Sequence, residues 1–186
     1  MLKNKFDNYM SKLSLNRNRK KGFLIWITGL AGSGKTSLAN EIYSFIEKKY
    51  GQTVVLSGDD LRKEFNFKKF DKKSRLKYAM HYSSFCKKIT DKKINLIFAT
   101  VSLFNKVRLW NKKNIENYLE IYIEADISKL LKKKNKPFYR NNKNKNIVGK
   151  GILPEFPTKP HIKIKNNFKS IKILKTNLIN RIRLIK

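Results

Sequence analysis

Five stretches of this chain read as buried strands, and the intervals between them repeat at helical spacing. Phe23 to Ile27 (FLIWI), Thr53 to Leu56 (TVVL) and Ile94 to Val101 (INLIFATV) are nearly unbroken apolar runs. Tyr118 to Ala125 (YLEIYIEA) alternates loosely, and His161 to Ile164 reads as a short last strand. Runs of this length that lack strict alternation suit strands covered on both faces. Between the first two, Leu38, Ile42, Phe45 and Ile46 share one side of a helix from near Lys35 to Tyr50, which Gly51 stops. Ser74 to Asp91, Lys106 to Asn117, Asp126 to Lys134 and Leu174 to Ile185 supply the other long helices. Leu61 to Glu64 predicts a short helix capped by an acidic residue, and 66–73 a loop. Such alternation predicts an α/β fold, a parallel sheet of about five strands with flanking helices.

Chemistry enters at the end of the first strand. There the chain continues as Gly29-Leu30-Ala31-Gly32-Ser33-Gly34-Lys35-Thr36, with Ser37 behind. Two glycines bracketing four residues, then Lys-Thr, form the phosphate-binding loop (P-loop) pattern, which demands a strand before it and a helix after it. The glycines let backbone N–H groups turn inward around an anion, and the helix dipole adds to the same point. Lys35 then reaches the β- and γ-phosphates of a nucleoside triphosphate, and the Thr36 hydroxyl holds Mg²⁺. The second strand ends in Ser57-Gly58-Asp59-Asp60, and the third in Ser102-Leu103-Phe104-Asn105. Ligands of an open parallel sheet bind beyond the carboxyl ends of its strands. Asp59 and Arg62 are therefore expected in one crevice with the loop.

Composition changes this picture in two places. The chain carries 44 Lys+Arg against 13 Asp+Glu, a formal charge of +31. One reading is a basic face for nucleic acid; the other is a solvated lysine surface. Lysines spread along the whole chain beside abundant Asn favour the second, so nucleic acid is not the expected partner. Residues 1–21 form a basic arm ahead of a 22–186 domain. They read as a helix packed on the domain edge, or less readily as a nucleic-acid or membrane arm. Asn135 to Lys150 is polar and lysine-rich, with two readings: a disordered insertion, or a mobile lid closing basic groups over a nucleotide, the second being favoured. The apolar runs around 23–32 and 94–104 fall short of a bilayer span. Cys86 has no partner for an internal disulfide and reads as packing, and the expected compartment is the cytoplasm. His81 reads as an ordinary surface or core histidine.

Over roughly residues 20–165 the chain resembles the adenylylsulfate kinase family. The resemblance is carried by Trp26-Ile27-Thr28-Gly29-Leu30-Ala31-Gly32-Ser33-Gly34-Lys35-Thr36, then Gly58-Asp59 with Arg62 and Arg75. It continues through Ser102-Leu103-Phe104 and Lys136-Pro137-Phe138-Tyr139. It implies a P-loop nucleotide kinase with a lid at about 135–150, moving the γ-phosphoryl group of ATP, with Mg²⁺, to the ribose 3′-hydroxyl of a small nucleotide acceptor. The family acceptor is adenylyl sulfate. On this resemblance Asp59 orients or deprotonates the acceptor hydroxyl, directly or through Mg²⁺. Arg62, Arg75, Ser102 and Phe104 face the acceptor, and Lys136 is the lid lysine near the ATP phosphates. A homodimer is among the assemblies it admits. Phe67, Phe70 and Phe104 are candidates for a clamp on the base, with core packing as the alternative for each.

Departures from the family pattern fall on the acceptor side. Ser57 stands for the first Asp of Asp-Gly-Asp, Asp60 for Asn, and Tyr78 for an acceptor-binding Asn. Leu103 and Asn105 replace Pro and Arg, Lys133 and Lys134 replace the lid's Arg-Asp, and Gly151 replaces Asp. Val101-Ser102-Leu103-Phe104-Asn105 followed by Trp110-Asn111-Lys112 is similar to a divergent capsule-associated branch. That branch phosphorylates a cytidine diphosphoramidate-type nucleotide, which stands as the alternative acceptor.

Overall fold

The computed structural model describes residues 21–132, 146–168 and 170–183. The N-terminal arm (except Lys21), Lys136 and residues 135–145 of the expected lid lie outside the described residues. The strands are β1 (Leu24–Gly29), β2 (Thr53–Ser57), β3 (Asn95–Thr100), β4 (Tyr118–Ala125) and β5 (Ile162–Asn166). All pair in parallel in the order β2-β3-β1-β4-β5. The helices are α1 (Lys35–Tyr50), α2 (Gly58–Glu64), α3 (Lys72–Asp91), α4 (Asn105–Asn114), α5 (Ile127–Lys132) and α6 (Ile171–Arg183).

The unbroken apolar runs exist because β1 and β3 are buried at every position. Alternate residues of each serve opposite cores. Leu24, Trp26, Leu96 and Phe98 pack with Ala79, Tyr82, Cys86 and Ile89 of α3 and Val107 of α4. Ile25, Ile27, Ile97 and Ala99 pack with Leu38, Ile42 and Ile46 of α1 and Leu174, Leu178 and Ile182 of α6. Cys86 is fully buried in the first core, and burial pushes its thiol well up, as inert packing requires.

Helix boundaries differ from the sequence reading where capping side chains intervene. The short helix starts at Gly58, three residues early, and its cap is Ser57. The Ser57 hydroxyl accepts from the Asp60 amide at 3.2 Å, while an Asp60 carboxylate oxygen accepts from the Ser57 amide at 2.7 Å. This is a reciprocal capping box. Where the family pattern has Asp-Gly-Asp-Asn, this chain moves a carboxylate from the cap to the third helical position. The two departures, Ser57 and Asp60, are hydrogen-bonded to each other. Similarly, α3 begins at Lys72 because Asp71 caps it, accepting from the Ser74 amide at 2.9 Å.

One buried ion pair was not legible from the pattern. Arg108 on α4 and Glu120 on β4 sit 3.5 Å apart, both nearly inaccessible. Arg108 also donates to the Glu155 carbonyl at 2.7 Å and to the Asn105 side chain. Burial pushes the Glu120 carboxyl up to about 7, although the Arg108 charge opposes the shift. Folded Glu120 therefore keeps its proton at pH values where the unfolded chain has released it. The resulting stability is full below the unfolded value and is lost as pH rises through the folded one. Glu120→Gln has no proton to lose. In thermal melts its midpoint relative to the parent chain is expected to climb by several degrees from about pH 5 to about pH 8; a constant gap would contradict the assignment.

Candidate active site

The loops that follow β1, β2 and β3 converge at the carboxyl edge of the sheet. Strand order decides this: β1 is central, and the passage from β3 to β4 crosses over it, making the switch point where such sheets bind ligands. A cavity of about 570 Å³ opens there, within the range of small-molecule sites. Its nucleotide-loop wall is Ala31, Gly32, Gly34, Lys35, Thr36 and Ser37.

That wall is built by backbone. Gly34 takes φ 91°, ψ 13° and serves as the cap of α1 with no side-chain hydrogen bond, so the helix presents its first amides without a side-chain partner. A side chain at that left-handed position would be strained, and its Cβ would lie 3.2 Å from the Asn166 side-chain amide. Asn166, at the end of β5, donates to the Ser33 carbonyl at 2.8 Å and ties the loop to the far edge of the sheet. Lys35 is nearly buried and donates to the Leu30 carbonyl at 2.7 Å. Thr36 and Ser37 are exposed on the cavity. Gly29, Leu30 and Ser33 support the loop from behind: Leu30 packs with Leu103, Tyr122, Leu130, Val148 and Ile152, and Ser33 is fully buried.

The opposite wall carries the carboxylate and the arginines. Gly58 lets the ends of β2 and β3 approach, since a Cβ there would meet Thr100 Oγ1 at 2.8 Å. Asp59 follows it, exposed on the cavity and free of hydrogen bonds and ion pairs to the described residues. Its neighbour Asp60 is occupied by the capping box, so the two adjacent carboxylates have different work. Arg62 and Arg75 both line the cavity. Arg62 donates to the Phe67 and Lys69 carbonyls, and Arg75 to those of Phe70 and Asn146. Their guanidinium carbons lie 4.4 and 5.3 Å from the Phe70 ring centre. Burial first, and the Arg62 charge second, lower the pKa of Arg75. Two cations held this way are poised for an anion that would relieve their repulsion.

The three aromatic clamp candidates separate. Phe70 is 47% exposed on the cavity, between the arginines. Phe104 touches the cavity but is only 4% exposed, because it packs in the α3–α4 core. Phe67 is not on the cavity wall; its ring stacks on Tyr78 at 4.0 Å and 6°. Core packing is thus what holds Phe67 and most of Phe104. Ser102 lines the cavity, buried, with its hydroxyl unpartnered and its carbonyl accepting from the Thr28 hydroxyl at 3.4 Å.

Residues 146–150, assigned to the lid from sequence, belong to the body. Asn146, Ile147 and Val148 form part of the cavity wall, and 147–152 is a tight turn in which the Ile147 carbonyl accepts from Lys150, Gly151 and Ile152 amides. Val148 and Ile152 of the turn pack with Leu30 and Leu130. Sequence reasoning missed Asn166, Thr100, Tyr82 and this turn at the site. No P-loop spacing points to a residue 133 positions away. For the turn, the apolar Ile147-Val148 inside a lysine-rich stretch was the available signal. No group of three or more His, Cys, Asp or Glu residues able to hold a metal occurs among the described residues. No helix among them is long and apolar enough to cross a membrane.

Residues 21–165 match the family described as adenylylsulphate kinase. Cytidine diphosphoramidate kinase of Campylobacter jejuni is 37% identical over 133 residues, covering 70% of this chain and 78% of the relative. Adenylyl-sulfate kinase of Pseudomonas aeruginosa is 28% identical over 157 residues, 78% of each chain. The structure of the Mycobacterium tuberculosis APS kinase CysC in complex with AMPPNP and APS aligns with a TM-score of 0.77 at 21% identity. That alignment covers 89% of this chain and 99% of the other, a likeness of fold.

Proposed function

The chain belongs to the adenylylsulphate kinase family and is a kinase, and on that premise we propose that it transfers the γ-phosphoryl group of ATP to the ribose 3′-hydroxyl of a cytidine diphosphoramidate-type nucleotide. The observation that carries this is the position of Asp59. It is a carboxylate without hydrogen bond or ion pair among the described residues, on the same cavity as the phosphate loop and within electrostatic reach of Arg75, and neither Arg62 nor Arg75 forms an ion pair among them. The amides of the loop and the start of α1 hold the triphosphate, and Lys35 exchanges the Leu30 carbonyl for a phosphate oxygen. Asp59 accepts the proton of the acceptor hydroxyl as the new P–O bond forms and the bond to the ADP oxygen breaks. Arg62 and Arg75 hold the acceptor's own phosphates. Mg²⁺ suits the donor set, since the Thr36 hydroxyl and the Asp59 carboxylate are hard oxygen ligands and this ion needs only one or two from the protein beside phosphate oxygens. When bound it neutralises charge on the transferring group.

Two observations favour the cytidine acceptor over adenylyl sulfate and reverse the order that the resemblance alone sets. Identity to the Campylobacter kinase exceeds that to the Pseudomonas enzyme, and two of the departures border the acceptor wall: Ser57 lines the cavity and the Tyr78 ring lies 5.3 Å from the Arg62 guanidinium carbon. Adenylyl sulfate remains the second reading, supported by the family match. ADP release is measured with ATP, Mg²⁺ and each acceptor in turn. Turnover with cytidine diphosphoramidate and little with adenylyl sulfate is expected. The reverse preference selects the second reading, and no turnover with either by folded protein overturns both.

A further inference from the structure

Tyr82 lies one helical turn beyond Tyr78 on α3, and it is only 4% exposed, yet it forms part of the cavity wall. Its ring is fixed in the core by Phe98 at 5.8 Å and Phe67 at 6.1 Å, and its edge would touch a Cβ at Gly58 at 3.7 Å. Its hydroxyl is buried without a hydrogen-bond partner. A buried tyrosine ordinarily finds a partner for its O–H, because an unmet donor costs stability with nothing in return. Phenylalanine would serve the packing alone. Burial raises the phenol pKa, so the group remains a neutral donor, and it sits within the electrostatic reach of Arg62, Asp59 and Arg75. By contrast the Tyr78 ring is spent on Phe67 and is not on the cavity wall.

We propose that Tyr82 is a substrate-contacting residue whose hydroxyl donates a hydrogen bond to a phosphorus-bound oxygen of the acceptor, on the anion that Arg62 and Arg75 hold. This rests on the acceptor site argued above. An anionic oxygen is the natural partner there, because the adjacent guanidinium charges draw one in and a phenol donates strongly to it. The unpartnered donor of the free protein then becomes satisfied only when the acceptor is bound, which concentrates its worth in binding rather than in folding.

The test is Tyr82→Phe, which removes one oxygen and leaves the ring. Affinity for cytidine diphosphoramidate and for adenylyl sulfate is measured by calorimetry in the presence of ADP, together with ATP affinity and the melting temperature of the free protein. Expected is a loss of about 10- to 100-fold in affinity for each acceptor that the parent chain binds, the usual worth of a hydrogen bond to a charged group. ATP affinity is expected unchanged and the free variant no less stable than the parent. Unchanged acceptor affinity overturns the proposal while leaving the kinase reading intact. A loss confined to one of two bound acceptors assigns the hydroxyl to the base and overturns it too. A lowered melting temperature with ATP and acceptor weakened alike reduces Tyr82 to a structural role. A parent chain that binds neither acceptor removes the acceptor reading itself, and this proposal with it.

Discussion

Lys35→Ala is expected to lower kcat by at least about 10²- to 10³-fold, the usual cost of losing one charge donor in the transition state. The side chain starts from an engaged position, donating to the Leu30 carbonyl at 2.7 Å and almost fully buried. Its charge therefore carries little solvent with it and acts in a poorly screened site. As the γ-phosphoryl group moves, charge on the bridging and terminal oxygens grows, and an ammonium held beside the loop stabilises that growth. Ground-state affinity should fall less than kcat, because the loop amides and the α1 dipole remain. Single-turnover rates at saturating ATP, with ATP affinity titrated separately, distinguish the two effects. A variant that retains rate but loses affinity would place Lys35 in binding alone.

Asp59→Asn is expected to lower transfer by about 10²- to 10⁴-fold, the range for a positioned general base, while ATP affinity stays within a few-fold. The amide preserves size and can still orient a hydroxyl, but it cannot accept the proton. The residue has no hydrogen bond or ion pair among the described residues and acts on Arg75 and Tyr82 only through its charge, so its replacement leaves the fold intact. Asp60→Asn is the contrasting variant. It disturbs the capping box of α2 and should lower thermal stability, with a smaller effect on rate. Equal rate losses in the two variants would mean that the carboxylates are not distinguished as the geometry has them. If Asp59→Asn keeps more than a tenth of the parent rate, Asp59 is not the base.

The contrast between Asp59 and Asp60 shows where residue order stops being informative. Both were visible in Ser57-Gly58-Asp59-Asp60, and spacing placed them beyond a strand end. Which carboxylate is committed to Ser57 depends on helix geometry beginning at Gly58, a start that the pattern put three residues late. Aromatics show the same limit. Phe67, Phe70 and Phe104 were equivalent candidates by type and position, and only packing separates one exposed between two arginines from one stacked on Tyr78 and one embedded in the core. The lysine-rich stretch before Gly149 reads as an insertion or a mobile lid, yet Val148 at its end packs with Leu30 and Leu130.

By itself the sequence determined what is local in the chain. The apolar runs of β1 and β3, the helical spacing of α1 and α3, and the Gly-rich turn into Lys35-Thr36 follow from hydrophobic period and from backbone freedom, which act over a few residues. Only the tertiary structure decided which distant groups meet: Asn166 on the loop at Ser33, Arg108 against Glu120, and Tyr82, its hydroxyl unmet, on one cavity wall with Arg62 and Arg75. The reason is physical. Burial and pairing depend on strand order and on which helix covers which face, and a residue's type records its capacity to donate or accept but not the neighbour with which that capacity is used.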